Sequence, residues 1–504
     1  MKHADIIQTL DLEQKCALLS GGTVFDTRTL PGKGIPSITL SDGPNGVRKQ
    51  AGAADHLGLN PSVPATCFPT SATVANSWDP ALGEAVGEAM GEEAAAQEVS
   101  VLLGPGLNIK RSPLCGRNFE YFSEDPYLAG KMAAGYVRGI QKNGIAACPK
   151  HFAVNSQELR RMASDSIVDE RTLRELYLTG FEIVVKEAKP KTIMSSYNLV
   201  NGTYANENAH LLQDILRRDW GFDGAVVTDW GGSNDHALGV KNGSTLEMPF
   251  PGDDSVRELM KAVESGKISE HDVDARLDEL LELVLDTKAA VEKAPRTFDA
   301  AAHHALARRA AAQSIVLLRN EGALLPLKKG EKIAVLGDFA RTPRYQGAGS
   351  SAVNSIQVDS FLDCLTESGL ANVGYAQGFD RQGKADEALK KEAVALAQNA
   401  NVVLLCMGLD EIKESEGLDR MDMKLAQNQL ELLAAVAAVN PNVVVLLSAG
   451  SSLETPWLKD CKALVYGCLG GQAGAGALVD VLTGTVCPGG KLAETWANAY
   501  SDSP

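Results

Sequence analysis

The stretch Ala225-Val226-Val227-Thr228-Asp229-Trp230-Gly231-Gly232 decides how the rest of this 504-residue chain is read. A short apolar, β-branched run stops abruptly at a carboxylate, an aromatic ring and two glycines, which puts Asp229 where a buried strand ends. At such a place a rigid strand holds a side chain still, and glycines let loops come close to a ligand. An Asp that merely caps the following helix is the competing reading. The stretch alone does not separate the two.

Working outward, four more apolar runs in the first half of the chain end in the same manner. Residues 37–40 lead into Ser41-Asp42-Gly43-Pro44-Asn45-Gly46, and residues 99–103 into Gly104-Pro105-Gly106-Leu107-Asn108. Residues 145–149 lead into Lys150-His151-Phe152, and 192–196 into Tyr197-Asn198. Helical patterns over 80–97 and 173–188, with apolar residues at 3.6-residue spacing, fall between such runs. Repeated strand-helix alternation predicts a mostly parallel sheet with helices outside it, and residues 1–285 suit a (β/α)8, TIM-like barrel or a close variant. In that architecture the polar strand ends all open on one face, where active sites sit.

An Ala-, Lys-, Glu- and Arg-rich helical stretch follows, and residues 286–312 are read as a linker and entry helix. From 313 to 504 the runs 314–320, 332–337, 402–408, 443–447 and 463–467 are apolar on both faces and are separated by helical patterns such as 384–398 and 425–439. That predicts an open, doubly covered α/β sheet, so the fold class expected is α/β: a TIM-like barrel followed by an α/β sandwich domain.

Composition narrows the function. Hydrophobic residues make up 44% and charged residues 22%, ordinary for a globular protein, and no apolar segment is long enough to cross a bilayer, so no membrane partner is expected. A net charge of −16, from 48 basic and 64 acidic residues, argues against nucleic acid as the main ligand. The start of the chain lacks the basic, apolar and small-residue segments of a secretory signal. Nine scattered cysteines with no CxxC pair read as small buried hydrophobes in a reducing compartment, with neither a disulfide frame nor a zinc site. The expected location is cytoplasmic.

Lys150 and His151 bring two cations to a strand end, although one Lys or His is more often a solvated charge or a satisfied core residue. Asn155, Gln157, Glu158, Arg161, Tyr197 and the run from Gly116 to Pro126 add hydrogen-bonding ends and aromatic faces, a mixture that suits a polyhydroxylated ligand. No phosphate-binding G-x-x-x-x-G-K-[ST] is present, and Gly104 and Gly106 open no complete dinucleotide fingerprint. A second acidic cluster, Glu411-Ile412-Lys413-Glu414-Ser415-Glu416-Gly417-Leu418-Asp419-Arg420, follows a buried strand of the second domain. Such a loop is usually a solvated face. Retaining glycoside hydrolysis, however, needs one ionised carboxylate and one protonated carboxyl group, roughly 5–5.5 Å apart. Asp229 and Glu416 could supply them across a domain interface.

These motifs together resemble family 3 glycoside hydrolases of the β-glucosidase/β-xylosidase type. The resemblance rests on Ser41-Asp42-Gly43-Pro44-Asn45-Gly46-Val47-Arg48, on Leu103 to Ile109 leading to Gly116-Arg117-Asn118-Phe119-Glu120-Tyr121-Phe122-Ser123-Glu124-Asp125-Pro126, on Lys150-His151-Phe152, on Met194-Ser195-Ser196-Tyr197, on Val227-Thr228-Asp229-Trp230 and on Glu414 to Arg420, in that order along most of the chain. It implies Asp229 as nucleophile and Glu416 as acid/base, with Glu414 the alternative. It further implies Asp42, Arg117, Lys150, His151, Arg161 and Tyr197 as sugar contacts, Trp230 as a stacking platform, and Ser350 as a contact from the second domain, its register open against Ser351. Nearby Lys150, His151 and Arg161 are expected to keep Asp229 ionised, and Glu411, Glu414 and Asp419 to keep a proton on Glu416.

The activity expected is a retaining, exo-acting β-glucosidase that removes single sugars from small oligosaccharides or aryl and alkyl β-glycosides, without metal or cofactor. A β-xylosidase/arabinosidase and a non-catalytic sugar-binding relative are the alternatives, and a homo-oligomer stays open. The β-N-acetylglucosaminidase branch is disfavoured, because its K-H-F-P-G-H-G segment reads Lys150-His151-Phe152-Ala153-Val154-Asn155-Ser156 here. Many members of the family continue into a fibronectin-type domain, which this sequence is expected to lack.

Overall fold

The computed structural model describes residues 1–52 and 60–503. The chain divides into two compact units, Met1–Ala65 with Pro80–Ile109 and Asp125–Asp299, and Thr66–Asp79 with Lys110–Glu124 and Ala300–Pro504. Two short segments of the first half therefore pack with the second unit, which periodicity along the chain does not reveal.

In the first unit, short buried strands pair in parallel: Leu40–Asp42 with Val101–Leu103, and the latter with Ala146–Ala147. Phe152 bridges to Ser195, next to Thr192–Met194, and that strand pairs in parallel with Ala225–Val227. Further parallel bridges join Val227 to Leu246 and Glu247 to Ser20. Two antiparallel bridges, Gly21 to Thr27 and Asp26 to Thr39, bring the bonding back beside the first strand. The ladder thus runs as a circuit. Its strands carry Leu103, Ala146, Met194 and Val227, all almost fully buried, which is why they read as short uninterrupted apolar runs.

Helices Pro80–Ala96, Pro126–Gln141 and Thr179–Ala188 pack side by side in this unit. The first two approach so closely that a Cβ on Gly139 would lie 2.1 Å from the Glu84 carbonyl oxygen. The helical pattern over 173–188 is broken in two, because Leu173–Tyr177 winds as a π-helical turn before Thr179–Ala188.

The second unit is built on a six-stranded sheet in the order Ala371–Ala376, Lys332–Leu336, Val402–Gly408, Val443–Ser448, Ala463–Tyr466, Val316–Asn320, parallel throughout except for the last strand. Every residue of Val402–Gly408 is buried, so both faces of the sheet centre are covered. Strand order reverses beside Lys332–Leu336. In open α/β sheets ligands bind outside the carboxyl ends of strands at such a reversal, and the loop carrying Glu416 leaves the carboxyl end of Val402–Gly408.

The helical stretch expected to join the domains is not continuous. Glu270–Lys293 ends before Pro295, and a new helix runs over Ala300–Ser314. Pro295 cannot donate a backbone N–H, and the residue before a proline avoids helical geometry. Glu270–Lys293 buries Leu277, Leu280, Leu281 and Val284 in the first unit, whereas Ala311 and Ala312 of the second helix join the core of the other. Among the described residues, no helix is long and apolar enough to cross a membrane.

Candidate active site

Asp229 sits two residues beyond Ala225–Val227, anchored by its own N–H to the Ser195 carbonyl at 3.2 Å. Thr228 is locked to Met248 in both directions, its hydroxyl donating to the Met248 carbonyl at 3.1 Å and accepting from the Met248 N–H at 2.9 Å. Gly231 takes φ of +78°, a conformation that costs a side-chain-bearing residue, and the chain turns back so that the Gly232 N–H bonds the Asp229 carbonyl at 2.8 Å. The carboxylate is thus presented from rigid backbone. Its Oδ1 accepts from the Trp230 N–H at 2.8 Å, and its Oδ2 lies 3.8 Å from His151 Nε2.

The groups expected around Asp229 divide into two sets. His151, 1% exposed, faces it directly, and Lys150, 2% exposed, precedes it across a cis peptide bond. Arg161 turns instead to Glu158, whose Oε2 accepts from Nη1 at 2.9 Å, and lays its guanidinium over the Tyr197 ring at 4.8 Å. Tyr197 in turn donates its hydroxyl to the Trp230 carbonyl at 2.9 Å. Glu158, Arg161, Tyr197 and Trp230 form one chain of contacts that ends at the nucleophile candidate. Trp230 is fixed from its other side, with Nε1 donating to the Val24 carbonyl at 2.8 Å and the indole packed on Phe25 at 5.4 Å. Asp42 closes Leu40–Asp42, with Oδ2 at 3.9 Å from Arg48 Nη1. Beside Trp230 a pocket opens between Thr23, Gly231, Ser233 and the apolar Met248, Pro249 and Phe250.

In the second unit the structure separates the two glutamates. Glu414 is 1% exposed; its Oε1 accepts from the Gly450 N–H at 2.7 Å and the Ser451 hydroxyl at 2.9 Å, and its Oε2 faces Arg344 Nη2 at 3.4 Å. It is a buried anchor. Glu416 accepts on Oε2 from the Ser350 N–H at 2.8 Å, while Oε1 lies 3.5 Å from Arg117 Nη1. Ser350 therefore meets Glu416 through its backbone. The neighbouring Ser351 is buried.

The carboxylates expected to keep a proton on Glu416 each have a partner of their own. Glu411 accepts from Nε and Nη2 of Arg381, Glu414 Oε2 faces Arg344, and Asp419 Oδ1 accepts from the Gly116 N–H at 3.1 Å. Arginine beside Glu411 holds that carboxyl below its ordinary range despite burial. Within this unit a cation, Arg117, reaches Glu416, and that cation is engaged by Glu120. The Glu120 carboxylate accepts from Arg117 Nε at 3.0 Å and from Nη2 at 2.6 Å. Glu120 and Glu158, expected only among the hydrogen-bonding groups for a polyhydroxylated ligand, each hold an arginine. The available signal was the i,i+3 spacing of each to its arginine.

The cysteines form no disulfide with one another. Burial pushes the thiols of Cys16, Cys148 and Cys406 up to about 12, so none of these offers a thiolate. Among the described residues no cluster of three or more His, Cys, Asp or Glu side chains could hold a metal.

Comparison with known proteins adds the decisive observation: residues 53–283 match the Glycosyl hydrolase family 3 N terminal domain, and residues 315–504 the Glycosyl hydrolase family 3 C-terminal domain. The chain belongs to glycosyl hydrolase family 3. This family 3 chain is 47% identical over 505 residues to the thermostable beta-glucosidase B of Acetivibrio thermocellus, an alignment that spans 99% of the chain and 66% of that protein. It is 46% identical over 510 residues to an exo-alpha-(1->6)-L-arabinopyranosidase of Bifidobacterium longum, across 99% of the chain and 67% of the relative. Among solved structures it superposes on the Bifidobacterium adolescentis GH3 beta-glucosidase with a TM-score of 0.94 at 44% identity, across 99% of the chain and 72% of that structure. Beta-glucosidase 3B of Thermotoga neapolitana in complex with glucose gives a TM-score of 0.91 at 33% identity, across 100% and 76%. The chain thus spans about two thirds of the length of the curated relatives it matches first.

Proposed function

We propose that the chain is a retaining, exo-acting β-glucosidase that uses Asp229 as nucleophile and Glu416 as acid/base. The observation that carries the reading is the fixed carboxylate of Asp229, one oxygen on the Trp230 N–H and the other facing His151, at a strand end in a family 3 chain. In the first step an Asp229 oxygen bonds to the anomeric carbon as the glycosidic C–O bond breaks, and the Glu416 proton passes to the leaving oxygen. In the second step Glu416 takes a proton from water, whose oxygen displaces Asp229 and regenerates both groups. Both steps invert at the anomeric carbon, so the product keeps the β configuration.

Asp42, Arg117, Lys150, His151, Arg161, Tyr197, Trp230 and Ser350 are assigned to hold the sugar. The burial of Arg117, Lys150 and His151 supports this, because buried donors bind hydroxyls without competition from bulk water. The circuit of bridged strands in the first unit supports a TIM-like barrel over about residues 1–285, in a variant with antiparallel closure near Gly21 and Asp26. Residues 313–504 are assigned to the sandwich domain that carries the acid/base, with 286–312 between them. The scatter of nine cysteines along the chain, with no CxxC pair, supports a reducing, cytoplasmic setting.

A panel of 4-nitrophenyl glycosides tests the reading. Fastest release is expected from the β-glucoside, with the β-anomer of glucose as the first product by NMR. The 46% identity to arabinopyranosidases favours a second reading, in which an α-L-arabinopyranoside is the better substrate. First release of the α-anomer from the β-glucoside would overturn the retaining assignment.

A further inference from the structure

Glu120 is completely buried yet carries a carboxylate, and both of its oxygens are spent on one partner, the Arg117 guanidinium. Taking a charge out of water is costly unless a partner of opposite sign meets it in good geometry. Bidentate pairing on Nε and Nη2 provides that geometry, and it leaves Nη1 as the nitrogen directed toward Glu416 Oε1. The short helical turn Asn118–Glu120 is itself clamped. A Cβ on Gly116 would lie 1.7 Å from the Leu418 carbonyl oxygen, and Cβ atoms on Gly347 and Gly450 would lie 2.1 and 2.3 Å from the Phe119 side chain. Glu120 thus sits on a part that cannot move independently of the loop bearing Glu416.

We infer that Glu120 is a positioning residue for the acid/base: it fixes the Arg117 guanidinium and balances its charge, so that Arg117 meets Glu416 through one N–H. The inference rests on the reading of Glu416 as the proton donor. An unbalanced guanidinium beside a carboxyl group favours its ionised form, and an ionised Glu416 has no proton for the leaving oxygen. The described neighbours of Glu416 on its own loop are engaged elsewhere. Ser350 donates a neutral N–H, Glu411 and Glu414 are held by Arg381 and Arg344, and Asp419 is held by the Gly116 N–H.

The test compares wild type with Glu120→Gln and Glu120→Asp on two β-glucosides that differ only in the leaving group. Phenol needs a proton to depart and 2,4-dinitrophenol does not. For Glu120→Gln, kcat/KM on the phenyl glucoside is expected to fall roughly tenfold to a hundredfold, within the range over which a positioned acid acts. The dinitrophenyl glucoside should stay within about threefold of wild type, since the acid is not used. Glu120→Asp keeps the charge and should fall between the two. Thermal unfolding and the fraction of enzyme trapped by a 2-deoxy-2-fluoroglucoside separate misfolding from chemistry. If Glu120→Gln does not fold, the selective loss is sought in Glu120→Asp. An even loss on both glucosides, at an unchanged trapped fraction, overturns the inference. Wild-type enzyme inert toward both overturns the glycosidase reading beneath it, a different signature.

Discussion

His151 Nε2 stands 3.8 Å from Asp229 Oδ2 while the Trp230 N–H holds Oδ1 at 2.8 Å. The carboxylate is thereby oriented by groups on its own strand end and on the segment beyond Ala146–Ala147. On the proposed reading, replacing Asp229 by Ala removes the attacking atom and little of the packing. Turnover is expected to fall on the order of 10⁴-fold or more, as when a residue that acts within a catalytic unit is deleted. Tm should drop by about 2 °C or less, because the lost bond is local. Calorimetry and a 4-nitrophenyl β-glucoside assay check both.

Glu414 and Glu416 should fail in opposite ways. For Glu416→Ala the fold should persist while kcat/KM on poor leaving groups falls about 10²- to 10⁴-fold, with azide restoring part of the turnover on a good leaving group. Glu414→Ala strands the buried Arg344 charge and two donors, Gly450 N–H and Ser451 Oγ. It should lower stability by about 3–5 kcal/mol, the usual cost of breaking a buried pair, with no azide rescue. Rescue at position 414 and none at 416 would exchange the two roles.

Gly349 offers a subtler probe. Its φ is +116°, and an added Cβ would lie 2.5 Å from the Glu416 Cβ and 3.0 Å from Oε2. Gly349→Ala is therefore expected to push the Glu416 side chain aside, and if Glu416 is the proposed acid/base, a misplacement of about 1 Å can cost on the order of 10²-fold in rate. The loss should be in kcat/KM, read on an aryl glucoside.

What the sequence disclosed, and what it did not, follows from where burial is strong. Val402–Gly408 and Ala225–Val227 are buried at every position and stood out as unbroken apolar runs. Ala371–Ala376 is an edge strand with two exposed residues and Gly374 inside it, so no apolar run marks it. The antiparallel bridges at Gly21 and Asp26 rest on single residue pairs in a loop and leave no periodic trace. Asp229, Lys150 and His151 were legible because they stand two to four residues beyond Ala225–Val227 and Ala146–Ala147, where polar residues break an apolar run in the sequence. The charge balance at Glu416 was not, since Glu411 and Asp419 lie beside it in sequence but bind Arg381 and the Gly116 N–H in space.

His236 should give the fold a dependence on pH. It is buried, with Nδ1 at 3.4 Å from Glu247 Oε2, the oxygen that also accepts from Ser255 Oγ at 2.5 Å. Burial holds its pKa below the usual 6.5, against the pull of Glu247. Below 6.5 the unfolded chain therefore takes up a proton that the folded chain does not. Stability is complete above that value and declines as pH falls through the folded value, by up to about 1.4 kcal/mol per pH unit for one proton. His236→Gln should flatten this part of the profile in denaturant titrations between pH 7 and 5. An unchanged slope would mean that His236 takes up its proton equally in both states.

The central claim is a covalent sugar on Asp229. Incubation with 2-deoxy-2-fluoro-β-glucosyl fluoride, proteolysis and peptide mass spectrometry test it most directly. The account requires the fluoroglucosyl mass on the peptide containing Val227-Thr228-Asp229-Trp230, with fragment ions that place it on Asp229. A label on any other carboxylate, or active enzyme that turns over without acquiring a label, would contradict it.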